Sequence, residues 1–438
     1  MFSVFRKLIL FTLVVMQVLT TLGLSAVAET AAPTEVLLSD ATVTTYGRTY
    51  YTDDGLHMNW TASGFAFTFT GTTVTMDVTA SATAGQAFLR VYVDGVALDR
   101  DLAISNRTYT ARLVSGLEDA THTVKVLKRT ENGWGGMVTV HKLNVTGTMG
   151  APPAKPDRLV EVIGDSITCG YGNLVERSPI NSYQSNRQDG LTTYATMAIE
   201  PFGVQYNVIA KSGIGFGCNN GGGKTDTMLD AYAYTDYFNL GTDVKWDFEG
   251  NPADVVIIAL GTNDTANGDS ADYEAKARAM LTLVREKNPD AYIIWAYEMM
   301  TVSRADVLMQ VCNEFGDDEV FYHKLGMMDS SAPGDAGHPS MATHEKDSEA
   351  LGDLIKELTG WKRIGEPNYV YGDVDLNDAV SAADALEVLK SVVGKVTLTD
   401  DQKTTGDTDG NGQVDATDAL NILKKVVGKI DQFPVEKE

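Results

Sequence analysis

The chain has 438 residues, more than one ordinary hydrophobic core can serve, and 43% of them are hydrophobic, enough for roughly two to four domains each with a core of its own. A formal net charge of -24 without any local basic stripe argues against nucleic acid as a partner, because an acidic surface repels phosphate. Three cysteines, Cys169, Cys218 and Cys312, are too few for a disulfide framework, and neither they nor the six histidines have zinc-ligand spacing.

Arg6 and Lys7 precede an apolar run from Leu8 to Leu24 and the small residues Ala26-Val27-Ala28. That is the order of a secretory leader, so residues 1–28 read as a signal peptide and the remainder as exported. No other stretch could span a bilayer, and no membrane association is expected. From 40 to 148 short apolar and polar residues alternate as in strands, for example Phe65-Ala66-Phe67-Thr68-Phe69 and Val91-Tyr92-Val93, with Asp94-Gly95 as a hairpin turn. This predicts a β-sandwich of jelly-roll type. Ala151-Pro152-Pro153-Ala154-Lys155-Pro156 reads as a stiff linker.

Beyond it, residues 157–361 show continuous apolar runs at Leu159–Ile163, Tyr206–Ala210, Val255–Leu260 and Tyr292–Ala296, separated by helix-length segments. Runs of this kind belong to a doubly wound α/β domain with a parallel sheet covered on both faces, and such sheets bind ligands beyond the carboxyl ends of their strands. A closing helix is predicted over Lys346–Leu358, with Leu351, Leu354, Ile355 and Leu358 on one face. The tail, 370–431, holds a repeat: Gly372–Lys395 aligns with Gly406–Lys429 without a gap, 34 residues apart (406 minus 372). Each copy is a loop followed by an amphipathic helix, and Leu386, Leu389 and Val392-Val393 are expected to pack on their counterparts Leu420, Leu423 and Val426-Val427.

Three of the predicted strands end in groups that suit acyl transfer. The first gives Gly164-Asp165-Ser166, with the serine expected where the strand turns into a helix and its own N–H available to a neighbouring oxygen. The second gives Lys211-Ser212-Gly213-Ile214-Gly215, where glycine lets the backbone approach a substrate closely. The third gives Gly261-Thr262-Asn263-Asp264, with an amide donor. Asp335-Ala336-Gly337-His338-Pro339 then offers a base and a carboxylate three residues ahead of it. The expected roles are Ser166 as nucleophile, His338 as base, Asp335 as its orienting group, and Ser166, Gly213 and Asn263 as the oxyanion hole. Trp295 and Tyr297 suit either a sugar subsite or the core, and Cys169 and Cys218 both fall near the site.

GDS, a following glycine, GTND and DxxHP in that order resemble the SGNH hydrolases. The preceding sandwich, Lys128-Arg129-Thr130-Glu131 within it, and GDSITCGYG at 164–172 resemble carbohydrate esterase family 2 over roughly residues 40–360. The resemblance implies an acetylesterase acting on acetylated plant polysaccharide such as xylan or glucomannan, without a catalytic cofactor. It also implies that backbone carbonyls can replace Asp335 in orienting the histidine, and it leaves Gly215 open as an alternative to Gly213. An SGNH lipase or thioesterase, or a carbohydrate-binding component without activity, are the competing readings.

In the tail, Asp373, Asp375, Asn377, Ser381 and Asp384 occupy loop positions 1, 3, 5, 9 and 12. Asp407, Asp409, Asn411, Asp415 and Asp418 occupy the same positions in the second copy, where the Gln413 carbonyl fills position 7. Oxygen ligands at this spacing suit calcium. Aspartate at position 12 and a single following helix resemble type I dockerins. That likeness implies two structural calcium ions, a cohesin on a scaffoldin as partner, and a place in an extracellular cellulosome.

Overall fold

A computed structural model describes residues 32–266, 270–365 and 369–437; the expected leader lies outside the described residues. The chain divides into two compact units, one ending at Lys362 and one beginning at Arg363.

The first unit opens with ten strands: β1 Thr34–Val36, β2 Thr44–Tyr46, β3 Tyr50–Thr52, β4 Gly55–Met58, β5 Gly64–Ala80, β6 Ala87–Val93, β7 Val96–Ala97, β8 Leu102–Ile104, β9 Tyr109–Lys128 and β10 Val138–Met149. Where the sequence predicted two stacked sheets, hydrogen bonding joins all ten in one antiparallel sheet. Its long strands β5, β9 and β10 pass through register shifts at Gly71/Thr73, Val74/Thr75, Val140/Lys142 and Thr146/Gly147. An extra residue at such a bulge bends the strand, so one strand can serve two faces of a core. Phe65, Phe67 and Phe69 line that core with Val124, Val126 and Val138. The Asp94-Gly95 turn has φ of 51° and 83°, the left-handed pair that a tight hairpin requires.

Five parallel strands follow, in the order β12-β11-β13-β14-β15: β11 Leu159–Gly164, β12 Gln205–Ala210, β13 Val255–Ala259, β14 Tyr292–Tyr297 and β15 Val320–Lys324. Successive residues face opposite sides. Val160, Val162, Val208 and Ile257 pack on one face against Leu351 and Ile355 of the closing helix Met341–Thr359, with Leu354 and Leu358 at its margin. Ile163, Ile209, Val256 and Ile258 pack on the other against Met280, Leu281 and Val284 of the helix Ser270–Lys287. Register is decisive: Gly164 pairs with both Ala210 and Ala259, so β11, β12 and β13 end side by side. Trp295 and Tyr297 are core residues, with Trp295 Nε1 donating to the Leu260 carbonyl at 3.0 Å.

The linker does not hold the two domains apart. Thr44 and Thr68 donate to the Pro153 and Ala151 carbonyls, and the domains share a buried polar interface. Arg48 reaches both Glu161 carboxylate oxygens at 3.1 Å and the Tyr232 and Tyr234 carbonyls at 2.6 and 2.8 Å, with both members of the ion pair buried. Trp60 Nε1 donates to the Thr235 carbonyl at 2.8 Å, and Arg90 meets Asp189 at 2.6 Å.

In the second unit the helices Ala382–Val392 and Ala416–Val426 pack together, but not through the predicted residues. Ala385, Val388, Ala419 and Ile422 form the core with Val374, Leu398 and Phe433. Leu386, Leu389, Val392, Val393, Leu420, Leu423, Val426 and Val427 remain exposed. The smaller alanines allow close approach of the helices, and the large side chains are turned outward.

Candidate active site

Ser166 lies just past β11, and its Oγ is 2.8 Å from His338 Nε2. The segment is not helical as expected. Gly170 and Gly172 take left-handed φ of 70° and 63°, which stops a helix, and the turn is tied by Tyr171 N–H donating to the Ser166 carbonyl at 3.0 Å. His338 arrives from the loop before the closing helix, where Ala336 and Gly337 have φ of 52° and 72°. This doubling back brings the Asp335 carbonyl to His338 Nδ1 at 3.2 Å. A carbonyl only accepts, so Nδ1 carries the proton and Nε2 offers its lone pair to Ser166.

The Asp335 carboxylate, expected to orient the imidazole, points elsewhere. It accepts from Ser178 Oγ and from Arg187 Nη1, the latter at 3.2 Å, in a fully buried position. The residue meets His338 through its main chain instead. Burial depresses the His338 pKa to about 4, with the Asp335 and Ala336 carbonyls opposing the shift.

The two other strand ends converge as register requires. Ile214 N–H donates to the Lys211 carbonyl, and Gly213 has φ 81°. Left-handed φ at the third residue alone makes this a type II turn, in which glycine is required. The N–H groups of Ser166 and Gly213 have no partner among the described residues, whereas Gly215 N–H donates to Asn219 Oδ1 at 3.0 Å. Of the two glycines left open by the sequence, Gly213 is therefore the one with a donor to spare. Asn263 Nδ2 donates to Asp165 Oδ2 at 3.1 Å and to the Ile214 carbonyl at 2.8 Å, so serving an oxyanion means exchanging or sharing one of these bonds. Asp264 accepts from Phe216, Gly217 and Cys218 N–H at 3.0, 2.8 and 2.8 Å, clamping the glycine loop to the block that carries Asn263. Burial raises the pKa of Asp165 to about 7 and of Asp264 to about 6.

All three cysteines are free. Cys169 Sγ lies 3.8 Å from Glu131, and no Cys169–Cys218 bond forms. Sequence reasoning also missed the wall beside His338. Tyr171 stacks on the imidazole at 4.2 Å, Trp134 meets Tyr171 and Tyr183 edge-on at 5.8 and 5.1 Å, and Trp134 is 44% exposed. Trp134 comes from the N-terminal domain, and only its place between glycines hinted at an exposed aromatic.

In the tail, carboxylates of Asp373, Asp375 and Asp384 offer oxygens within 4.8 Å of one another, as do those of Asp407, Asp409 and Asp418. The two loops repeat their bonding. Asp384 Oδ1 accepts from Val374 N–H and Asp418 Oδ1 from Thr408 N–H, each at 2.8 Å. Clustered carboxylates with hard oxygens fit a divalent cation such as calcium. The remaining expected ligands point to the backbone or to each other. Asn377 and Asn411 accept from the N–H two residues on, Ser381 and Asp415 cap the following helices, and Ser381 Oγ donates to Asp384.

Fold and site together define the class: a GDSL-type hydrolase joined to a dockerin. Residues 45–153 match the carbohydrate esterase 2 N-terminal model, 162–363 the GDSL-like lipase/acylhydrolase family and 371–427 the dockerin type I domain. A structure of a family two carbohydrate esterase from Clostridium thermocellum in complex with cellohexaose is 30% identical at a TM-score of 0.67, covering 73% of this chain and 100% of that one. Cellulase/esterase CelE of Acetivibrio thermocellus is 31% identical over 327 residues, 72% of this chain, and the chain spans 39% of that relative's length. An acetylxylan esterase / glucomannan deacetylase of Cellvibrio japonicus is 24% identical over 337 residues, 74% of this chain and 91% of the relative. The chain belongs to carbohydrate esterase family 2.

Proposed function

We propose that the protein is an exported esterase that removes O-acetyl groups from plant cell-wall polysaccharide, xylan or glucomannan, and docks on a cellulosome through its tail. The observation that carries the reaction is the 2.8 Å contact between Ser166 Oγ and the unprotonated Nε2 of His338. Ser166 Oγ attacks the acetyl carbonyl and passes its proton to His338 Nε2, while Nδ1–H stays on the Asp335 carbonyl. The N–H groups of Ser166 and Gly213, with the Asn263 amide, receive the negative oxygen of the tetrahedral intermediate. Collapse passes that proton from His338 Nε2 to the departing sugar oxygen, which leaves as a hydroxyl, and leaves acetyl-Ser166. Water, deprotonated by His338, then attacks the acetyl carbon; the bond to Ser166 Oγ breaks, Oγ takes the proton back from Nε2, and acetate leaves. The substrate class rests on the names of the relatives and on the exposed Trp134 beside the site, an aromatic face suited to a sugar ring.

Bound calcium would neutralise the two carboxylate clusters and fix the loops; Asp373, Asp375 and Asp384 would hold one ion, and Asp407, Asp409 and Asp418 the other. The exposed leucines and valines of the paired helices are an apolar surface of the kind that marks a protein partner, and cohesin is the partner a dockerin implies. Acetate release from acetylated xylan and acetylated glucomannan, with Ser166→Ala alongside, tests the reading. Release that disappears in the variant is expected; a folded wild-type protein that releases none would overturn it.

A further inference from the structure

The N-terminal domain reaches the oxyanion loop through one side chain. Glu131 is completely buried, 81 residues before Ser212 in sequence. Its Oε2 accepts from Ser212 N–H at 2.7 Å and its Oε1 from Ser212 Oγ at 2.8 Å. The carboxylate is held by Gln188 Nε2 at 3.3 Å, and the main chain around it by Lys128. Lys128 Nζ, itself buried, donates to the Asn59, Thr130 and Glu131 carbonyls at 2.9, 2.7 and 2.7 Å.

Ser212 is the second residue of the Lys211–Ile214 type II turn, and Gly213 is the third. The peptide between them carries the Gly213 N–H. Peptides in this position flip between the type I and type II arrangements by rotation about ψ of the second residue and φ of the third. Flipped, this peptide would present the Ser212 carbonyl where the Gly213 N–H had been, placing a partial negative charge toward a developing oxyanion. Asn220 N–H holds the Gly213 carbonyl at 2.8 Å, but that bond lies on the next peptide, and a side chain at Gly213 would meet only Asn220 Cβ, at 3.7 Å, so neither restrains the Ser212–Gly213 peptide itself. What fixes the residue from which that peptide hangs is the pair of bonds from Glu131, strong because the acceptor is a carboxylate.

We propose that Glu131 is a positioning residue for the acyl-transfer site, acting through Ser212 to hold the Gly213 N–H in the orientation that receives the oxyanion. The N-terminal domain is thereby part of the transition-state machinery as well as the wall of the cleft. The inference rests on the esterase reading above. Glu131→Gln keeps the shape but offers one acceptor oxygen where three donors, Ser212 N–H, Ser212 Oγ and Gln188 Nε2, must be met. Ser212→Ala removes only the hydroxyl bond and leaves the N–H bond in place.

The test is steady-state hydrolysis of a soluble acetyl ester by the full chain, wild type beside Glu131→Gln and Ser212→Ala, together with inhibition by methylboronic acid, which adds to a serine as a tetrahedral adduct. Loss of an oxyanion donor costs roughly 10²-fold or more, so Glu131→Gln is expected to lower kcat by about that factor with KM unchanged. Ser212→Ala should lose roughly three- to tenfold, and the double variant no more than Glu131→Gln alone. Methylboronic acid should lose affinity in parallel with kcat while affinity for a deacetylated oligosaccharide stays constant, a split that a merely structural role would not produce. If Glu131→Gln does not fold, Ser212→Ala with wild-type kcat overturns the proposal by itself. Folded Glu131→Gln with wild-type kcat and boronate affinity also overturns it, leaving the esterase reading intact; a wild-type protein that hydrolyses no ester overturns that reading instead.

Discussion

The two units carry their candidate functional groups in opposite ways. Ser166, Gly213, Asn263 and His338 come from four separated segments, and they meet because β11, β12 and β13 end in register and because buried side chains tie the loops between them. In the tail, each converging carboxylate set lies within twelve consecutive residues, Asp373 to Asp384 or Asp407 to Asp418. The dispersed site depends on the whole first unit and is open to damage from afar. The contiguous sites depend on turn chemistry that a repeat can copy.

The sharpest way to break this contrast is at the proposed nucleophile, Ser166. Ser166→Ala should lower acetate release by roughly 10⁴-fold or more while binding of the tail to cohesin stays unchanged. Removing calcium with a chelator should do the reverse, abolishing cohesin binding measured by calorimetry and leaving hydrolysis of a soluble acetyl ester as it was. Simultaneous loss of both would contradict the independence of the two units. Next in size is the interface: Arg48→Met strands the buried Glu161 carboxylate and should destabilise the first unit by roughly 3–5 kcal/mol, read from its unfolding transition, without moving that of the tail.

Two smaller effects probe the histidine. Burial favours the neutral imidazole, and the neutral form is the base, so activity should persist as pH falls below the ordinary histidine value of 6.5 and decline only near about 4. A kcat/KM profile of the soluble ester with its acid midpoint at 6.5 would mean that water reaches the ring. Asp335→Asn should cost less than about tenfold in kcat, against roughly 10⁴-fold where a carboxylate orients the imidazole, because the Asp335 main-chain carbonyl does that work here. A large loss would reassign the role to the side chain.

The same contrast decides what could be read from sequence. The loops of the tail were legible because their ligand positions recur in fixed register, and four of the sheet strands because they are continuous apolar runs. β15, Val-Phe-Tyr-His-Lys, escaped because it is a half-buried edge strand with two polar residues. Ser166, Gly213, Asn263 and His338 stood out by motif. That Asp335 meets His338 through its carbonyl depends on the φ of Ala336 and Gly337, which the pattern DxxHP does not encode. Glu131 could be seen only as part of a family block, since its partner Ser212 is distant in the chain. The tail helices misled for a different reason. Periodicity marks an apolar face but does not say whether the large residues or the alanines beside them meet the neighbouring helix.

The buried Arg48–Glu161 pair also bears on how such proteins can be recombined. A gene fusion cut within the proline-rich segment at 151–156 would move the hydrolase domain with an uncompensated carboxylate on its first sheet strand and with Ser212 deprived of its acceptor. The portable piece is the whole of the first unit, and swaps at that cut should give poorly soluble, inactive protein, whereas exchange of the tail after Lys362 should keep full esterase activity in the same assay.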